Sequence, residues 1–360
     1  MHDEEALAER IDTEIKDNLG ALVDNKQWNV YRDGFVSQVE RALSDLLGAS
    51  ALTTSSGTSA LELALRTVGV GPGQDVIVPN STFVATVQAV LLVGARPVLC
   101  DVDDMTYNPT PADIARVRTD CTTAVMFVHT FGNSSGVDGV ADYCRAQGLY
   151  LVEDAAQAIG ARIGERSVGS FGDCAAFSFN TSKPVSCGDG GAFASRNADL
   201  FATAKAIRHA GLRETPDGRY LAFEVGGKSV MTQWQAAVLA PQLAAFGELY
   251  EIREQTALAL RDRLASYGQL QDIDTGVVSA WQRVAITTKD LAQADELLRA
   301  NDWIERFYAA AVVDEPVVAA RALIDPDVAE RGRNLWERMV GVTLWPFTSF
   351  AELVRRASEV

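Results

Sequence analysis

Between residue 50 and about residue 195, short unbroken apolar runs alternate with stretches patterned for helices, and no other feature constrains the chain as much. Asp75–Pro79, Pro97–Val102, Ala124–His129, Leu149–Asp154, Ala175–Phe179 and Gly191–Ala194 are apolar along their length rather than at every second residue. Strands of that kind are buried on both faces, as in a mostly parallel sheet covered by helices on either side. Leu61, Ala64, Leu65 and Val68 mark one such helix by their three- and four-residue spacing, and Val84, Val87 and Leu91 mark another. The expected class is α/β, with at least six strands in one sheet.

The texture changes after about residue 232. Gln233 to Leu264 is made almost wholly of helix formers, interrupted by Pro241, and is followed by a strand-like Trp281–Ile286 and a helical Leu291–Ala300. A length of 360 residues suits two domains. The division is expected near residue 245, with a large domain over 1–245 that includes an N-terminal helical arm, and a smaller α+β domain over 246–360.

Charge and cysteine content exclude several classes of function. With 32 basic and 48 acidic residues the net charge is −16, so neither a general nucleic-acid surface nor an anionic-membrane surface is expected. No run approaches the ~20 apolar residues of a membrane span. The acidic N-terminus lacks the features of a signal peptide, and a cytoplasmic protein is expected. Five scattered cysteines without a CxxC pair indicate neither a disulfide framework nor a zinc knuckle. Three histidines in all support no metal site.

Four local features can carry chemistry. Ser55-Ser-Gly-Thr-Ser59 opens a helix whose unpaired N–H groups make an anion site, although it also fits an ordinary N-cap. Asp154 falls where a buried strand runs out, the edge at which open α/β sheets bind ligands, with Gln157 three residues on. Lys183 lies between the Phe177-Ser-Phe179 strand and the glycine-dense Gly188-Asp-Gly-Gly191, beside Ser178. Desolvated there, it is a Schiff-base nucleophile; otherwise it is one more solvated loop lysine. Phe83, at a strand-to-helix turn, suits stacking on a planar ring as well as a place in the core.

Taken in order, these pieces match the demands of one cofactor. Pyridoxal 5′-phosphate has a phosphate, an aromatic ring, a ring nitrogen that pairs with a carboxylate and an aldehyde that takes an amine.

At this point the sequence resembles the DegT/DnrJ/EryC1/StrS sugar aminotransferases, fold-type I pyridoxal-phosphate enzymes. The resemblance is carried by SSGTSALELAL, GPGQDVIVPNSTFVAT, GARPVLCDVD, VEDAAQAIGA, FSFNTSKPVSCGDGGAF and, more weakly, QWQAAVLAPQL, from about residue 28 to 245. It implies a mostly parallel seven-stranded sheet, and transfer of an amino group from L-glutamate or L-glutamine to a keto-sugar or keto-cyclitol. By the same resemblance Lys183 would hold the cofactor and then move a proton, and Asp154 would pair with the ring nitrogen. Gln157 would bond the ring hydroxyl oxygen and Phe83 would stack on the ring. Gly57, Thr58 and Ser178 would hold the phosphate. A homodimer with shared active sites is also implied, residues near 225–230 reaching the partner's pocket.

The chain departs from the family's pattern in three places. Gly226-Gly-Lys-Ser-Val230 stands where a Gly-x-Asn-aromatic-Arg segment is usual, so Lys228 takes the asparagine's place, as a cofactor-phosphate contact, a substrate anion contact or a solvated lysine. The small domain has Phe307-Tyr-Ala-Ala-Ala311 where a Tyr-Pro-x-Pro-Leu-His-like segment is usual, so the substrate side of the pocket is expected to be remodelled or emptied. Pro184 directly follows the lysine and biases it toward extended backbone. Two rival readings are an aminohydroxybenzoate-synthase-like dehydratase and a catalytically silent scaffold of the same fold. His129 is expected to be structural, and His209 receives no role.

Overall fold

The computed structural model describes residues 4–29 and 34–344. Seven strands form the central sheet: β1 (Ser50–Thr54), β2 (Asp75–Pro79), β3 (Arg96–Cys100), β4 (Thr122–Val128), β5 (Tyr150–Asp154), β6 (Cys174–Ser178) and β7 (Gly191–Ser195). Their order is β1-β7-β6-β5-β4-β2-β3, and only β7 runs against its neighbours. The six apolar runs read from the sequence are β2 to β7, with ends shifted by up to two residues.

The seventh strand, β1, has too few apolar residues to announce itself. Its polar Thr53 is accommodated at the sheet's edge because the Glu40 carboxylate accepts both the Thr53 N–H, at 2.9 Å, and the Thr53 hydroxyl, at 3.0 Å. Arg208 in turn donates to Glu40 at 2.6 Å.

Alternation along each strand divides the core between two faces. Val76 and Val78 pack with Leu61, Leu65 and Val87 from the helices Gly57–Thr67 and Val84–Leu92. Ile77, between them, points the other way, toward Ile114 and Val140. Val312, Val318 and Val328 from the C-terminal third join the first of these clusters, so that part of the chain packs against the main sheet and not only on itself.

The long helical stretch after residue 232 breaks at Ala245 rather than at Pro241, giving helices Gln233–Ala244 and Phe246–Leu264. Pro241 has no N–H to donate four residues back, to the Ala237 carbonyl. Asn18 Nδ2 donates to that carbonyl instead, at 3.1 Å, and the helix continues through the proline. Beyond it, β8 (Gln269–Leu270), β9 (Arg283–Thr287) and β10 (Met339–Thr343) form a small antiparallel sheet with β9 in the middle. The Leu291–Ala300 helix lies where the pattern put it. The end of the expected small domain at residue 360 lies outside the described residues. No helix among the described residues is long and apolar enough to cross a membrane.

Candidate active site

At the carboxyl edge of the parallel strands, a cavity of about 430 Å³ is lined by Gly57, Thr58, Phe83, Asp154, Gln157, Ser178 and Lys183. These segments are distant in sequence and meet because strands running in one direction deliver their ends to one edge.

The anion end is built by close approach of backbone. Ser56 caps the Gly57–Thr67 helix, its hydroxyl accepting from the Ser59 N–H at 3.1 Å, which leaves the first N–H groups, at Gly57 and Thr58, without partners inside the helix. A Cβ at Gly57 would lie 2.8 Å from the Ser178 Cβ, and one at Gly191 would collide with the Ser56 carbonyl. Glycine at both places lets β6 and β7 come against the helix start, which puts the Ser178 hydroxyl beside those N–H groups.

Lys183 sits in a loop held from outside. Gln282 donates to the Ser182 carbonyl at 2.9 Å, buried Arg253 donates to the Pro184 carbonyl at 3.0 Å, and Gln242 exchanges two hydrogen bonds with the Ser186 backbone, at 2.9 and 2.6 Å. Burial, and next the charge of Arg283, lower the Lys183 amine from its ordinary 10.5 to about 8, and Asp154 opposes them. Asp154 is buried, and desolvation raises its carboxyl above the usual carboxylate value. The Thr86 hydroxyl at 2.8 Å and the Ala156 N–H at 3.1 Å favour its ionised form. Among the described residues no cation lies within salt-bridge distance of it.

Gln157 Oε1 accepts the Phe131 N–H at 2.7 Å, which leaves Nε2 as the end that can donate into the cavity, near the Tyr308 hydroxyl at 3.3 Å. Phe83 is 56% exposed at the mouth, its ring 6.1 Å from that of Tyr308. Phe307 and Tyr308, from the segment expected to be remodelled or emptied, both line the cavity.

Lys228 does not reach the cavity of its own chain. It is exposed, on a segment tied to the start of the Gly57–Thr67 helix by the Ser55 N–H donating to the Ser229 carbonyl at 2.8 Å. His129 is structural: its ring is fully buried, 3.0 Å from Glu153, whose carboxylate also accepts three backbone N–H bonds from Gly169, Phe171 and Gly172. His209 is exposed and pairs through its backbone with Lys228.

Sequence reasoning missed Thr86 and Arg283 as cavity residues, and singled out the Phe307-Tyr308 segment only through the family resemblance. Of the two missed, Arg283 was the more visible, since an arginine inside the apolar run Trp281–Ile286 needs a reason to be there.

The residues present fit a phosphate-bearing aromatic aldehyde. A backbone cradle too tight for side chains, a desolvated amine and a buried carboxylate without a cation share one cavity.

The sequence profile of the DegT/DnrJ/EryC1/StrS aminotransferase family matches residues 9–346. GDP-perosamine synthase of Caulobacter vibrioides is 36% identical over 262 residues, 72% of this chain and 70% of its own length. L-glutamine:scyllo-inosose aminotransferase of Streptomyces griseus is 36% identical over 246 residues, 66% of this chain and 58% of its own. The crystal structure of a DegT/DnrJ/EryC1/StrS aminotransferase from Brucella abortus matches with a TM-score of 0.86 and 28% identity, over 100% of this chain and 99% of that one.

Proposed function

The chain belongs to the DegT/DnrJ/EryC1/StrS aminotransferase family, whose members depend on pyridoxal 5′-phosphate, and from that premise we propose that it moves an amino group from L-glutamate or L-glutamine to a keto-sugar or keto-cyclitol. The observation that carries this reading is the Lys183 amine, desolvated in one cavity with Asp154, Ser178 and the N–H groups of Gly57 and Thr58. A silent scaffold has no use for a cavity lysine whose amine is desolvated and brought down to about 8.

When bound, the cofactor supplies a carbonyl that takes up and releases the amino group and a ring that withdraws electrons from the carbon being deprotonated. Lys183 would hold it covalently and, once displaced by the substrate's amine, take up and return the substrate proton at Nζ. An amine near 8 does this far better than one at 10.5, because a usable fraction is neutral at physiological pH. Asp154 would keep the proton on the ring nitrogen, the cation its buried carboxylate otherwise lacks. Gln157 Nε2, its orientation set by the Phe131 N–H, would donate to the ring hydroxyl oxygen. The N–H groups of Gly57 and Thr58 and the Ser178 hydroxyl would hold the phosphate, and Phe83 would cover the ring. Lys228 is assigned to the pocket of a partner subunit in a cytoplasmic homodimer, since it lies outside its own.

Borohydride reduction of the cofactor-loaded protein followed by peptide mapping labels Lys183. In a separate, unreduced sample L-glutamate or L-glutamine shifts the visible absorbance of the bound cofactor, and a keto-sugar or keto-cyclitol restores it. A missing label at Lys183 overturns the reading in favour of the scaffold. An absent shift, with water released from a cyclic acceptor, overturns it in favour of the dehydratase.

A further inference from the structure

Arg283 is the cationic group at the cavity that the reading above leaves without a task. It projects from β9, the middle strand of the small sheet, and lines the same cavity as Lys183. Its Nε donates to the Thr343 hydroxyl at 3.1 Å, while one terminal nitrogen is buried with no hydrogen-bond partner. Among the described residues no carboxylate lies within salt-bridge distance of it. The guanidinium carbon stands 4.5 Å from the ring centre of Phe307, 5.3 Å from that of Tyr308 and 5.4 Å from that of Phe131. Three rings hold the cation in place without taking up that terminal nitrogen, since a ring face attracts the charge and not the N–H direction.

A partly buried guanidinium with an idle nitrogen and no counter-ion gains when a ligand brings the negative charge. The anion end of the cavity already has donors of its own, at Gly57, Thr58 and Ser178. Arg283 stands with Phe307 and Tyr308, on the side left for the substrate. A planar fork of N–H donors matches the two oxygens of a carboxylate.

We propose that Arg283 recognises a carboxylate of the substrate, orienting it toward the Lys183 amine. This assignment rests on the aminotransferase reading. The carboxylate belongs either to the amino acid that gives the amino group or to an acidic acceptor, and the two half-reactions separate these sources.

The experiment compares cofactor-loaded wild type with Arg283→Gln and Arg283→Lys. Borohydride labelling at Lys183 comes first: absence of the label from wild type sinks the aminotransferase reading, whereas a label in all three proteins shows an intact site and isolates the role of Arg283. Calorimetric titration with glutarate, a carboxylate that cannot react, is expected to show binding to wild type that Arg283→Gln weakens by ~10–100-fold and Arg283→Lys weakens less. A matching rise in the apparent KM for L-glutamate and L-glutamine, with little change in the rate at saturation, places the carboxylate on the donor. A rise confined to keto-acids of the sugar series, with neutral keto-sugars unaffected, places it on the acceptor. If a separate aliquot of Arg283→Gln takes the label, and the unreduced variant keeps glutarate binding and every KM within about twofold of wild type, the proposal is overturned and Arg283 is left as packing for the three rings.

Discussion

Phe131 donates its backbone N–H to Gln157 Oε1 at 2.7 Å while held at φ 62°, a left-handed conformation that bulky residues rarely adopt. The strain, of order 1–3 kcal/mol, is of the kind that persists where the surroundings over-determine the backbone. It aims an N–H at an amide and so decides which end of that amide meets the cavity. Gln157→Glu keeps an acceptor for Phe131 and loses the donor toward the cofactor. Its affinity for pyridoxal 5′-phosphate is expected to fall by ~10-fold or more, read by absorbance titration, with the denaturation midpoint nearly unchanged.

Gly57→Ala puts a methyl group 2.8 Å from the Ser178 Cβ. Overpacking of that kind costs about 1–3 kcal/mol, and it pushes β6 from the helix start that is to hold the phosphate. Adding Ser178→Gly to the same chain is expected to recover stability but not cofactor affinity, because the hydroxyl goes with the crowding. Chemical denaturation and cofactor titration of the single and double variants check the two effects separately.

Lys183 makes the cofactor-free protein pH-dependent in a stated direction. Its amine titrates near 10.5 when unfolded and at about 8 when folded. Below 8 both states hold the proton and the burial penalty, on the order of 3 kcal/mol, is constant. From 8 to 10.5 the unfolded state binds more protons, so stability rises with pH. Lys183→Met is therefore expected to be more stable than wild type at pH 7, with most of that gap gone by pH 10. The rate of cofactor uptake by wild type is expected to climb through pH 8 and then level off. A stability gap independent of pH would count against the buried amine.

Arg253 holds the loop of Lys183 through the Pro184 carbonyl at 3.0 Å and also meets the Leu344 carbonyl at 2.6 Å. Burial lowers its guanidinium to about 10. Arg253→Met strands both carbonyls, and a loss of about 2–4 kcal/mol is expected in urea denaturation. Cofactor bound to this variant should be lost more readily, since the loop that presents the lysine is no longer held at that point.

The proposed sharing of sites between subunits makes a prediction about mixtures. Lys183→Ala and Lys228→Ala are each expected to be poor catalysts as pure proteins. Unfolding and refolding them together should return activity, because a mixed dimer contains one pocket with both native lysines. If each pocket draws on a single chain, the mixture stays as weak as its parts.

What the sequence determined by itself is the sheet and one half of the cavity. Runs that are apolar along their length have to be buried on both faces, and parallel strands bring their ends to one edge. Gly57, Asp154, Ser178 and Lys183, 126 positions apart at their ends (183 less 57), were joined in the sequence through the demands of one cofactor and the family resemblance. β1 was not legible, because Thr53 is stabilised there by Glu40 and Arg208 rather than by its own apolarity. Nor was the continuity of the helix through Pro241, which depends on an asparagine 223 positions earlier, 241 less 18. How the other half of the cavity is assembled was decided by tertiary structure. Arg283, Phe307, Tyr308 and the strained Phe131 meet only once the small sheet packs over the mouth of the large one. Periodicity reports which face of an element is buried; which other element it is buried against, and what an unpaired cation then faces, is set by long-range packing that no local pattern encodes.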